Sequence, residues 1–163
     1  MLNNDIMIRL RYALDIKDTD MVEIFNLGGV EVAKDDVRMM LQRVDEDEYG
    51  EEIIPEGYIR VNNTMMEQFL NGMVTFKRGK RPGETGAPPL TGETVNNQLL
   101  KKLKIALSLT SEDMLEIFDL AGVRVSKGEL GAILRKEGHK NYRECGDKFA
   151  RNFLKGLALK FRG

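Results

Sequence analysis

The chain's one histidine and one cysteine lie close together, in Gly138-His139-Lys140-Asn141-Tyr142-Arg143-Glu144-Cys145-Gly146. An imidazole that takes a proton from a thiol makes a nucleophile. Here no third group orients the pair, and their spacing within a loop fixes no geometry. The stretch reads instead as a contact loop, with His139, Lys140, Asn141, Tyr142 and Arg143 as its candidate contact residues. One His and one Cys do not complete a structural zinc site within a chain, and a single Cys forms no internal disulfide. No cofactor is expected. Gly79 to Gly86 has neither the spacing of a phosphate-binding loop nor a strand before it.

A second candidate is acidic. Asp45-Glu46-Asp47-Glu48-Tyr49-Gly50 and the residues on to Glu56 place acids at the first, third and last positions of a calcium loop, with glycine in its middle. Tyr49, Glu52 and Pro55 occupy positions where such a loop has a ligand, an aliphatic residue and no proline. A solvated acidic loop is the simpler expectation.

The third candidate is cationic. Lys101, Lys102 and Lys104 fall on one expected helix, Arg135 and Lys136 end another, and Arg151 and Lys155 lie on a later one. Clustered cations neutralise phosphates and give salt-dependent nucleic-acid binding, and Tyr142 among them offers a stacking face. The same cations also serve as a solvated face, or as the face that meets an acidic surface. A nucleic-acid binder should show them as one continuous exposed stripe; an interaction module should bury many against acids. The run from Glu112 to Leu130, with a glycine turn and then Ser126, also suggests a helix-turn-helix. Its connection looks too long, and the counterpart Lys34-Asp35-Asp36 would turn two carboxylates toward phosphate.

These residues are held by a repeat. Asn3-Asn4 recurs as Asn96-Asn97, and Leu10, Ala13 and Leu14 recur as Leu103, Ala106 and Leu107. Asp20-Met21-x-Glu23-Ile24-Phe25-x-Leu27-x-Gly29-Val30 recurs as Asp113-Met114-x-Glu116-Ile117-Phe118-x-Leu120-x-Gly122-Val123. Without a gap, 16 of 41 positions are identical between residues 3–43 and 96–136. Further on, Phe69-Leu70-x-Gly72 matches Phe153-Leu154-x-Gly156 at a smaller shift, so the first copy carries extra residues within Asp45–Gly57. Self-similarity at such a period marks repeated structural units.

Apolar spacing predicts four helices per copy. They run near 4–16, 19–27, the segment after Val32, and 63–75, with counterparts in the second copy. A glycine at Gly28-Gly29 and Gly122 ends the second helix. Ser126-x-x-Glu129 announces the third with a capping box. Most of the nine methionines fall at apolar positions and read as core. Residues 79–92 hold four glycines and three prolines and read as a linker between repeat 1 (1–78) and repeat 2 (93–163). A copy this small buries too little surface to be robust alone. The expected fold is therefore all-α, two similar four-helix modules packed as a pseudo-twofold pair.

The composition is 42% hydrophobic and 31% charged, that of a globular chain. No apolar run is long enough to span a membrane, and the start lacks the pattern of a secretory signal, so a cytoplasmic location is expected. The formal charge is −1. Up to Arg78, however, there are 9 Lys/Arg against 16 Asp/Glu, a net of −7; after it 16 against 10, a net of +6. An acidic half and a basic half attract each other, a second copy, or a charged partner.

The doubled Asp-Met-x-Glu-Ile-Phe-x-Leu-x-Gly-Val pattern, with His139-Lys-Asn-Tyr-Arg-Glu-Cys-Gly-Asp147 and Asn152-Phe-Leu-Lys-Gly156, resembles the YehS-like family of bacterial proteins. That family is built from a tandem domain of unknown function. The resemblance covers essentially the whole chain. It implies a bacterial cytoplasmic protein, and it carries over no activity and no catalytic residue. The functional expectation is a non-catalytic helical binding module that engages a protein partner or itself. RNA or DNA binding through the basic repeat is the alternative.

Overall fold

A computed structural model describes all 163 residues. Helices α1 (Asn3–Leu14), α2 (Asp18–Leu27), α3 (Lys34–Met40) and α4 (Asn63–Arg78) form the first copy. Helices α5 (Val95–Ala106), α6 (Ser111–Leu120), α7 (Lys127–Leu134) and α8 (Asp147–Arg162) form the second. The extra acidic residues of the first copy fold into a short antiparallel hairpin, β1 (Asp45–Glu46) with β2 (Glu52–Ile53), pairing Asp45 with Ile53 and Glu46 with Glu52. The protein is all-α apart from this hairpin.

The helix ends follow from local chemistry, and they repeat. α2 and α6 close in the same motif: Val30 N–H donates to Phe25 O and Gly29 N–H to Asn26 O, as Val123 does to Phe118 and Gly122 to Asp119. Gly29 and Gly122 take φ of 94° and 81°, the left-handed conformation this ending requires. α1 and α5 end the same way, but on Asp15 (φ 51°) and Ser108 (φ 53°), where no glycine signals the stop. The expected box at Ser126 closes differently. Its hydroxyl accepts from Glu129 N–H at 3.1 Å, and the Glu129 carboxylate then meets that hydroxyl at 3.0 Å in place of the backbone. A full capping box stands at Thr110 and Asp113, ahead of α6.

The two copies share one core. α1 packs on α8 and α4 on α5, so the first helix of each copy lies against the fourth helix of the other, as a pseudo-twofold demands. Within each copy, α4 packs on α2 and α8 on α6. A single cluster of 30 buried apolar residues runs through both copies. Its aromatic centres are equivalent pairs, Phe25–Phe69 with centroids 4.9 Å apart and Phe118–Phe153 at 5.2 Å. Met7, Met21, Met40, Met66, Met73 and Met114 are buried in it. Gly72 and Gly156 let the helices approach: a Cβ on either would fall 1.8 Å from Ile24 O or 1.9 Å from Ile117 O.

The four long helices α1, α4, α5 and α8 run in the same direction. Their starts meet through Asn3–Asn63 and Asn96–Asp147, and their ends through Asp15–Arg162 and Arg78–Ser108. Residues 79–92 must then travel back along α4 to reach the start of α5, which explains a connection of this length.

Candidate functional site

The repeated Asn-Asn doublet is a clamp. Asn4 is buried on α1; its NH2 donates to Met40 O and Ile59 O, both at 2.8 Å, and its Oδ1 accepts from Val61 N–H at 2.9 Å. Asn97 repeats this on α5, donating to Ile133 O at 3.0 Å and Arg143 O at 2.9 Å and accepting from Cys145 N–H at 2.9 Å. Asn3 and Asn96 add bonds to Val61 O and Cys145 O. The doublet therefore ties the extended residues before the fourth helix to the first and third helices. Its role is structural, and the repeat was its only sequence signal.

Two grooves related by the pseudo-twofold flank the bundle. Between α4 and α5 lies a cavity of about 600 Å³, arched over by the connection through Arg81, Pro82, Pro88 and Pro89. The connection is not a free linker. The buried carboxylate of Glu67 on α4 accepts from Thr91 N–H (2.7 Å), the Thr91 hydroxyl (2.9 Å) and Gly92 N–H (2.9 Å). Burial raises the Glu67 pKa, but these donors outweigh it and hold the carboxyl below the usual carboxylate range.

The equivalent groove between α1 and α8, about 490 Å³, is open. Its floor is Ile8, Leu154 and Ala158, flanked by Tyr12 and Leu159, which are 60% and 43% exposed. Arg9, Lys155 and Arg162 stand on its walls. Arg162 lies over the Tyr12 ring at 4.9 Å and pairs with Asp15 at 3.4 Å; Arg9 and Lys155 are in no ion pair. Sequence reasoning placed Lys155 in a basic face and did not find the groove, because its walls come from different copies.

A further pocket of about 440 Å³ forms where the four parallel helices begin. Glu67, Glu93, Glu144 and Asp147 line it and offset the positive helix ends.

The expected cations do not form one stripe. Lys101 and Lys104 face the α7 side with Asn97, and Arg135 and Lys136 are exposed beyond α7. Lys102 lies in the α4–α5 groove, while Arg151 and Lys155 share a face of α8. Nor are they buried against the acidic copy. Of the seven, Lys101 is the one in an ion pair, with Glu93 of its own copy at 3.4 Å. The cross-copy ion pairs are Arg162–Asp15 and the Met1 amino group with Asp147. The interface between copies is apolar, since buried helix faces gain more from packing than from paired charges.

The contact loop is folded on itself. Tyr142 N–H donates to His139 O at 2.9 Å and Asn141 N–H to His139 Nδ1 at 3.1 Å. His139, Lys140, Asn141 and Arg143 are exposed; Tyr142 is half-buried, with its ring 6.0 Å from the Lys101 ammonium. The last residues of the stretch correspond to residues 59–63 of copy one, since the Asn clamp holds residues 143–147 in the same way. Cys145 is 2% exposed, and burial pushes its thiol up to about 12, followed by the charge of Asp147. A thiol so placed is not the thiolate that nucleophilic chemistry uses. In the acidic hairpin, Asp47 Oδ1 accepts from Tyr49 and Glu51 N–H, which turns it onto its own backbone. The helix-turn-helix expectation also gives way: the connection from α6 to α7 spans 121–126, longer than such a turn.

Fold and repeat thus define a tandem helical protein whose copies exchange helix partners across one core. The chain belongs to the family described as protein of unknown function (DUF1456), which matches residues 3–79 and 96–163. It is similar to the uncharacterized protein YehS of Escherichia coli (strain K12), 41% identical over 162 residues, covering 98% of this chain and 96% of that protein. No solved structure matches the chain. No helix is long and apolar enough to cross a membrane.

Proposed function

We propose that this chain is a cytoplasmic, non-catalytic binding module that takes an extended acidic segment of a protein partner into the groove between α1 and α8. The observation that carries the reading is the inequality of two equivalent grooves. One lies beneath the chain's own proline-containing connection; the other, built from the corresponding faces, is open. Exposed Tyr12 and Leu159 supply apolar contact, and the unpaired Arg9 and Lys155 select for acids. The nucleic-acid alternative has less support, because the cations of the second copy fall in three separate places.

The test is fluorescence anisotropy with labelled peptides rich in Glu and Pro, against Lys/Pro peptides of the same length and single-stranded RNA. Saturable binding of the acidic peptides is expected, weakened about tenfold by Arg9→Glu with Lys155→Glu. Binding of RNA alone would replace this reading with the nucleic-acid one. Concentration-dependent self-association, abolished by the same variants, would identify the partner as the acidic hairpin of a second copy.

A further inference from the structure

The connection over the α4–α5 groove is a segment already seated on this fold, and the repeat carries its seat onto the open groove. Asn71, Thr75 and Arg78 on α4 correspond to Lys155, Leu159 and Arg162 on α8, and Lys102 and Ile105 on α5 to Arg9 and Tyr12 on α1. Pro88 and Pro89 line the occupied groove, and two residues later Thr91 is fixed to α4 through Glu67. The segment therefore passes from the end of α4 toward its start, prolines first and anchor last.

The anchor changes sign between the copies. In the first it is Glu67, 3% exposed, whose carboxylate accepts from Thr91 N–H and Gly92 N–H. The corresponding residue of α8 is Arg151, four residues before Lys155 and so on the same face of the helix. A guanidinium has five donors and no acceptor: it cannot receive backbone N–H groups, and it matches a carboxylate in their place. The ion pairs of α8 are made by Asp147, Lys160 and Arg162, which leaves Arg151 exposed and unpaired. Asp147, one turn earlier, feels its charge but is bonded to the Met1 amino group at 2.7 Å and to Asn96 at 2.9 Å. Asp5, at the place Gln98 holds on α5, makes no ion pair with it.

We infer that the α1–α8 groove takes its partner segment in one direction and register: prolines beside Tyr12 and Leu159 and, two residues further on, a carboxylate on Arg151. The inference rests on the groove binding a peptide at all, and adds which end of the peptide lies where. The partner's chemistry is then Pro-Pro-x-acid, with the acid toward the start of α8. Tyr12 stands where α5 has Ile105 and gives a proline ring an aromatic contact. Arg151 holds the acid by charge-assisted bonds, where the connection's own anchor is a threonine.

The experiment is fluorescence anisotropy on the full chain with three labelled peptides, capped at both ends to remove terminal charge. The first is Gly-Ala-Pro-Pro-Leu-Glu-Gly, the sequence of residues 86–92 with glutamate in place of Thr91; the second keeps the threonine; the third is the first in reverse order. The glutamate peptide is expected to bind saturably, and the threonine and reversed peptides about tenfold more weakly. Arg151→Gln should remove the preference for glutamate over threonine, and circular dichroism should show it folded, since the residue is exposed. Equal binding of the forward and reversed peptides, or a glutamate preference that survives Arg151→Gln, would overturn the register. Binding that still falls with Arg9→Glu and Lys155→Glu would in that case leave the groove reading standing. No saturable binding of any of the three in the millimolar range would overturn the inference, and the groove reading falls with it only if the peptides rich in Glu and Pro fail as well.

Discussion

Asn97 sits fully inside the protein with three good hydrogen bonds, and it was readable from the sequence only as half of a repeated doublet. A polar residue at an apolar-periodic position signals either a function or a satisfied interior; only coordinates show that its partners are backbone groups of two other segments. Asn97→Ala leaves those groups buried and unpaired and should cost about 3 kcal/mol in chemical denaturation. Glu67 was passed over for a similar reason, since its partners lie in the connection, 24 and 25 residues away. Its folded-state pKa is depressed. Its stabilisation is therefore present above the ordinary carboxylate value of about 4.3, and is lost as pH falls through the lower folded value. Glu67→Gln should cost about 2 kcal/mol at neutral pH, remove that acid-limb dependence, and raise amide exchange at Thr91 and Gly92. An unchanged exchange rate there would show that the connection is held by other contacts.

The helices were legible because their apolar spacing is regular and their stops are chemical: Gly29 and Gly122 end α2 and α6 as expected. The ends of α1 and α5 were less so, since Asp15 and Ser108 adopt a conformation that glycine usually announces. Gly72 and Gly156 appeared in the sequence as matching residues, but the reason for them is a packing distance. Gly156→Ala drives a methyl into Ile117 O and should destabilise by about 3 kcal/mol. Gly131 on α7 offers the contrast. Nothing lies within 4 Å of a Cβ placed there, so Gly131→Ala should stabilise by about 0.5–1 kcal/mol through helix propensity. Melting curves of the two variants check both signs.

At the scale of the molecule, the repeat gave the architecture in advance, but not which first helix lies against which fourth. The two copies have interchangeable apolar patterns, so local spacing cannot choose between α1 on α4 and α1 on α8. The charge asymmetry does not set how the copies meet: the contact is made by buried apolar faces, with two ion pairs across it, Arg162–Asp15 and the Met1 amino group with Asp147. The exchange of partners has a consequence. Residues 1–78 and 93–163, produced separately, each lack the helix that covers half their core. Each should be largely unfolded by circular dichroism, and equimolar mixing should restore the helical signal. If either half folds alone as a monomer, the copies are less dependent on each other than the packing of α1 on α8 and α4 on α5 implies. The functional claim rests on the open groove, and heteronuclear NMR on the full chain, titrated with a Glu/Pro peptide, tests it most directly. The account predicts shifts confined to α1 and α8 around Arg9, Tyr12 and Lys155. Shifts centred on Lys101, Arg135 and the His139–Arg143 loop, or none at all, would contradict it.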